Sequence, residues 1–207
     1  MFTGLVEAVG MVREVETTPA GRRIRIDPDG WDYVPEPGAS VCVSGCCLTA
    51  VSIKDGFFDF DVIHRSLEMT TLGEFEPGSR VNLERSATLE TLLGGHLVQG
   101  HVDGTGVVRQ VQEGGDWRMT VEAPAEVVPH LVDRGSITID GTSLTIARVL
   151  RDGNGVVDAL EVALIPETLA RTTLADRSPG DRVNLEADAM AKMIASHVER
   201  ILAGRGL

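Results

Sequence analysis

The sequence predicts an all-β protein of two tandem homologous six-stranded antiparallel barrels followed by one C-terminal α-helix. Three observations carry that reading: the chain is written twice, its apolar residues fall in short β-prone runs, and only the tail shows helical spacing. Gly4–Val15 (GLVEAVGMVREV) returns 96 positions later as Gly100–Val111 (GHVDGTGVVRQV), with six of twelve positions identical. At the same offset Ser40–Thr49 (SVCVSGCCLT) maps onto Ser136–Thr145 (SITIDGTSLT). Gly78–Glu84 (GSRVNLE) returns as Gly180–Glu186 (GDRVNLE), now offset by 102, so the second copy carries a six-residue insertion near Arg151–Asp158, expected as a surface loop. A unit of this length is a small domain rather than a solenoid repeat, which runs about 20–50 residues.

Taken in order, Arg23–Ile26 (RIRI), Ser40–Val43, Phe57–Val62 (FFDFDV), Met119–Val121 and Ser136–Ile139 (SITI) alternate or run in short β-prone pieces. Pro35, Pro37, Gly38, Gly45 and Gly56 punctuate the first set, with counterparts in the second. Each module reads as a small barrel or sandwich. About six short strands in so short a module leave too many unpaired edges in an open sheet, which favours closure into a barrel. After Asp188 the pattern changes: Met190, Met193, Ile194, His197, Ile201 and Leu202 recur at helical spacing, with Asp188 as N-cap and Gly204 as stop. That apolar stripe packs on its own barrel or meets copies of itself. The domains expected are residues 1–96, residues 97–187 and a C-terminal helix over residues 188–207.

A formal charge of −12 argues against nucleic acid, whose binders neutralise phosphate with Lys and Arg. No basic leader and no run of the roughly 20 apolar residues needed to span a bilayer is visible, so a cytoplasmic protein without a membrane partner is expected. Cys42, Cys46 and Cys47 are an odd, clustered set and read as reduced thiols. Cys46 and Cys42 are expected in the core, with Cys47 on the opposite strand face from Cys46.

No phosphate loop, metal-ligand spacing or Ser-His-Asp order stands out, so no cofactor is expected. What repeats is small hydroxyl and thiol residues: Cys47 with Ser143, Thr49 with Thr145, Ser66 with Thr168, and Thr70–Thr71 with Thr172–Thr173. Such groups suit barrel turns, and they also suit a flat heterocycle held by hydrogen bonds rather than charge. His101 is the first proton-transfer candidate, since it stands where the first repeat has Leu5; His96 ranks behind it, with a structural role in the glycine turn as its rival.

Met1–Gly4 (MFTG), Ser44–Thr49 (SGCCLT), Gly94–Gly106 (GGHLVQGHVDGTG), Gly135–Thr145 (GSITIDGTSLT) and Ile165–Leu174 (IPETLARTTL) together resemble the riboflavin synthases of the trimeric, two-barrel, lumazine-binding type, essentially end to end. The resemblance implies Greek-key barrels, one lumazine per barrel, and trimerisation through the tail helix. It implies a site formed between the first barrel of one subunit and the second of its neighbour. It also implies a cofactor-free dismutation of 6,7-dimethyl-8-ribityllumazine to riboflavin and a ribitylaminopyrimidine. By resemblance the catalytic set is His101, Ser143 and Cys47, and the substrate-binding set Phe2, Thr3, Thr49, Ile63, Ser66, Thr145, Ile165, Glu167, Thr168 and Asp188. For Phe2 and Thr3 the rival role is an ordinary first strand, and for Asp188 helix capping. Asp140, aligned with Ser44, reads as structural.

One position departs from the family pattern. The second half reads Pro166-Glu167-Thr168-Leu169, but the first reads His64-Arg65-Ser66-Leu67, a fixed cation in place of an acceptor. Arg65 either turns to solvent, or gives the first pocket a taste for a phosphorylated flavin, or marks a barrel that has lost donor turnover. Beside the enzyme, two readings stay open: a non-catalytic lumazine- or flavin-binding paralogue serving as antenna or storage protein, and a related dismutase acting on a modified lumazine.

Overall fold

Apolar side chains alternating inward wind twelve strands into two closed barrels in the computed structural model, which describes residues 1–204. The first barrel contains β1 (Ala8–Thr18), β2 (Gly21–Asp27), β3 (Ser40–Val43), β4 (Cys46–Lys54), β5 (Phe57–Ile63) and β6 (Arg80–Arg85). The second contains β7 (Gly104–Gln112), β8 (Trp117–Glu122), β9 (Ser136–Ile139), β10 (Thr142–Arg151), β11 (Val157–Leu164) and β12 (Arg182–Ala187). Around the first barrel the order is β1-β2-β5-β4-β3-β6, and the second repeats it strand for strand. β2 pairs with β5 rather than β3, so the chain crosses one barrel end between β2 and β3 in a Greek-key connection. Bulges recur at equivalent places, between Val12 and Glu14 and between Val108 and Gln110, and again at Ala50/Ser52 and Ile146/Arg148. Such bulges bend long strands around a small barrel.

Every strand piece read from the alternation lies within one of these strands. Inward residues fill the first barrel with Val12, Ile24, Ile26, Phe58, Phe60 and Leu83, and the second with Val108, Met119, Val121, Ile146, Leu160 and Leu185. The insertion in the second copy lengthens the β10–β11 hairpin. Its exposed tip, Asp152–Val156, is closed by the Asp152 carboxylate, which accepts from the Asn154 and Val156 amides at 2.8 and 2.9 Å. Arg151, Val157 and Asp158 belong to the strands.

Two short helices escape the alternation: α1 (His64–Met69) and α2 (Pro166–Arg171), each following the fifth strand of its barrel. Each ends at a threonine. Thr70 donates to the Ser66 carbonyl at 2.6 Å and accepts from the Leu72 amide, and Thr172 does the same with Thr168 and Leu174. The repeated Thr70 and Thr172 are therefore caps. The tail forms α3 (Ala189–Gly204). Asp188 accepts from the Met190 amide at 2.8 Å, the N-cap role expected of it. Lys192 ties the helix to the second barrel through Asp103 at 2.9 Å, but Met190, Met193, Ile194, Ile201 and Leu202 remain exposed. The helix runs through Gly204, so its expected stop lies at the edge of the described residues.

The barrels are joined by reciprocal bonds about a pseudo-twofold axis. Asn82 donates to the Asp140 carbonyl at 2.8 Å while its oxygen accepts from the Thr173 amide at 2.8 Å. Asn184 donates to the Ser44 carbonyl at 2.7 Å and accepts from the Thr71 amide at 2.8 Å. Asp140 is fully buried against Arg177 at 2.7 Å and accepts from the Asn184 amide, which makes it a structural residue of this seam.

Candidate functional site

The leading segment of each repeat crosses the seam and docks on the other barrel. Phe2 and Val98 bridge these two segments through amide-to-carbonyl bonds of 2.7 and 3.1 Å. The Ser143 amide then donates to the Gly4 carbonyl at 2.7 Å, and the Cys47 amide to the Gly100 carbonyl at 2.8 Å. Glycine is required at both places: a Cβ on Gly4 would stand 2.5 Å from that of Ser143, and one on Gly100 2.6 Å from that of Cys47. Both glycines also have positive φ, +75° and +77°.

A buried carboxylate fixes each crossing segment. Glu84 accepts from the Thr3 amide at 2.6 Å, the Thr3 hydroxyl at 2.7 Å and the Gly4 amide at 3.0 Å. Glu186 accepts from the amides of Gln99, Gly100 and His101 at 2.8, 2.9 and 3.0 Å. Burial raises the pKa of both carboxyls, and these donors pull against it. The pair is the repeated Val-Asn-Leu-Glu motif put to use: its asparagine joins the barrels and its glutamate anchors the strap.

On the second barrel the half-buried Ser143 faces His96. The imidazole Nδ1 lies 2.7 Å from the Ser143 hydroxyl, and Nε2 lies 3.3 Å from the Thr138 hydroxyl. A neutral imidazole has one donor and one acceptor, so when Nε2 carries the proton, Nδ1 accepts from Ser143. Burial lowers the His96 pKa from its ordinary value, and the nearby negative charge of Asp188 opposes that shift. The ring is positioned by its backbone, since the His96 amide donates to the Thr3 carbonyl at 3.2 Å. A Cβ on Gly95 would meet that carbonyl at 2.2 Å and Ser143 at 2.8 Å, which accounts for a glycine immediately before this histidine.

On the first barrel Cys47 opens into a cleft of about 200 Å³ lined with Arg65, Ser66, Met69, Thr70 and His101 among others. Of the three thiols only Cys47 is half-buried; Cys42 and Cys46 are buried. Burial drives the Cys42 pKa well up and pushes Cys46 to about 12, so neither is a thiolate near neutrality.

The remaining residues singled out in the sequence fall into three groups. Thr49 and Thr145 are exposed on the same strand faces as Cys47 and Ser143, two residues further along. Ile63 and Ile165 are exposed at the corners where the fifth strands meet α1 and α2, and Ser66 and Thr168 are half-buried on those helices. Glu167 is exposed and paired with Arg171 one turn on. Phe2 and Thr3 are instead closed into the seam: Phe2 packs with Cys42 and Val98, and Thr3 is spent on Glu84. Neither side chain is open to solvent, and the segment they anchor brings Gly4 against Ser143. Sequence reading ranked His96 behind His101; the structure places His96 against Ser143 and His101 in the lining of the Cys47 cleft. The one available signal was the Gly-Gly before His96, a place where backbone must pass close to something.

The chain matches the lumazine binding domain family twice, over residues 3–86 and 99–188. It is 43% identical to riboflavin synthase of Mycobacterium tuberculosis over 208 residues, covering all of both chains. It is 38% identical to that of Brucella abortus, over 94% of this chain and 96% of the relative. It is 35% identical to that of Escherichia coli, over 99% and 95%. Among solved structures, LumP complexed with riboflavin is similar with a TM-score of 0.76 and 25% identity, covering 90% of this chain and 99% of that one. LumP complexed with 6,7-dimethyl-8-(1'-D-ribityl) lumazine has the same fold, at a TM-score of 0.77 and 24% identity over the same shares. Two lumazine binding domains in tandem, aligned over full length with curated synthases, make this chain a member of the riboflavin synthase family.

Proposed function

We propose that the protein is a riboflavin synthase that transfers a four-carbon unit between two molecules of 6,7-dimethyl-8-ribityllumazine, releasing riboflavin and 5-amino-6-ribitylaminouracil. One molecule loses the carbons the other gains, so the exchange balances without an external oxidant or reductant, and no cofactor is assigned. The observation that carries the reading is the twofold site: each barrel offers a small nucleophilic residue, Cys47 or Ser143, gripped by a strap glycine and accompanied by a histidine. Two equivalent seats suit two copies of one substrate.

The acidic methyl of the lumazine needs a weak base and a fixed partner ring rather than a strong base, so positioning dominates. His96, held neutral by burial, takes the proton through Ser143; His101 serves proton transfer beside Cys47. Thr49, Ser66, Thr145, Thr168 and Glu167 supply polyol contacts, with Ile63 and Ile165 against the rings. Asp188 acts from the helix N-terminus, while Phe2 and Thr3 hold the strap. The working form is a homotrimer assembled through α3, supported by the exposed apolar stripe on that helix. A cytoplasmic location is supported by three unpaired thiols.

The test is incubation with 6,7-dimethyl-8-ribityllumazine alone, followed by riboflavin absorbance and fluorescence. Riboflavin should form in the wild type and fail to form with the Cys47→Ala, Ser143→Ala double variant. Tight lumazine binding without conversion would overturn the enzyme reading in favour of a binding protein.

A further inference from the structure

The two barrels differ in charge at one equivalent position. In the second barrel Glu167 is neutralised by Arg171 one helical turn away. The equivalent positions in the first barrel are Arg65 and Met69, so both the acceptor and its partner have been replaced. Arg65 takes part in no ion pair among the described residues, although most arginines here do. It lines the Cys47 cleft together with Ser66, Thr70 and His101, and no carboxylate shares that lining. In a chain with 31 acidic and 19 basic residues, a cleft holding a guanidinium and no acid stands against the average charge. A guanidinium donates five N–H groups and accepts none, and its fork matches the oxygens of a phosphate.

We infer that the first barrel selects a lumazine or flavin bearing an anionic phosphate on its side chain, whereas the second, with Glu167, takes the neutral polyol form. The inference rests on the reading of both barrels as lumazine seats and adds a difference between them. A phosphorylated flavin then occupies the first barrel in competition with substrate.

The experiment is calorimetric titration of the full-length protein with riboflavin and, separately, riboflavin 5'-phosphate, in wild type, Arg65→Gln and Arg65→Glu, at low and high salt. In the wild type one site per chain should bind the phosphate form about tenfold more tightly, the worth of one charge-assisted hydrogen bond, with the margin shrinking as salt screens it. Arg65→Gln should abolish the margin and Arg65→Glu reverse it, while thermal melts report that both variants remain folded. Equal affinity for the two flavins in the wild type, or a preference that survives Arg65→Glu, overturns the inference and leaves the synthase reading intact. Binding of neither flavin removes the lumazine-seat reading and this inference with it.

Discussion

At the scale of residues, the His96–Ser143 contact makes the sharpest prediction. Burial holds the imidazole below its ordinary pKa of 6.5, so it is a neutral acceptor at neutral pH. If His96 accepts the substrate proton through Ser143, turnover should fall as pH drops through its lowered pKa, along a limb absent from His96→Asn. That variant should lose about a hundredfold in kcat with a smaller change in KM, the usual worth of one acid–base group. Unchanged kcat and an unchanged acid limb would make His96 structural. The same shift acts on stability. Between the folded pKa of His96 and 6.5 the unfolded chain binds more protons at this group, so its contribution to stability should rise with pH through that window and be missing from His96→Asn. Sequence alone pointed to Ser143 and Cys47 because a repeat exposes equivalent positions. It placed His96 behind His101 because a structural role in the glycine turn was its rival, and the Ser143 partner, 47 residues away, is a contact no local pattern encodes.

Among elements, the repeat carried most of the fold, because period-two alternation and turn residues specify barrel strands locally. It could not reveal that each leading segment docks on the other barrel. Gly4 and Gly100 are equivalent whether the straps cross or not, and only the approach to Ser143 and Cys47 distinguishes the two arrangements. The short helices α1 and α2 were missed for a related reason: six residues are too few for a 3.6-residue period to emerge. The seam that forces the crossing depends on its asparagines. Asn184→Ala would leave the Ser44 carbonyl and the Thr71 amide buried without partners. That should cost about 2–4 kcal/mol, read by denaturant unfolding, whereas a loss within about 0.5 kcal/mol would mean water replaces the side chain. Glu186→Gln tests the strap itself. An amide cannot accept at all three N–H groups held by the carboxylate, so a loss of about 1–3 kcal/mol is expected. Turnover should fall as well, because Gly100 then no longer fixes Cys47.

For the whole molecule, the unresolved balance is between a self-sufficient two-barrel chain and one that needs copies of itself. The barrels have closed cores and a shared seam. The tail is different. Only Ala189 of α3 is buried, while Met190, Met193 and Ile194 are 64, 72 and 61% exposed. Three large apolar side chains within five residues are a poor surface for water and a good one for another helix of the same kind. Sequence periodicity supplied the stripe and left its partner open, since a face that packs on its own barrel and one that packs on a copy have the same spacing. With Lys192 already bound to Asp103, the helix is fixed on one side and free on the other. If the trimer proposed above forms through α3, Met193→Glu with Ile194→Glu should reduce it to monomers in sedimentation velocity and leave the far-ultraviolet circular dichroism of the barrels unchanged; if, as the family resemblance implies, seats of neighbouring chains meet, turnover should fall at least tenfold. Monomers with full activity would show that one chain closes its own site; an unchanged sedimentation coefficient would show that α3 is not the contact.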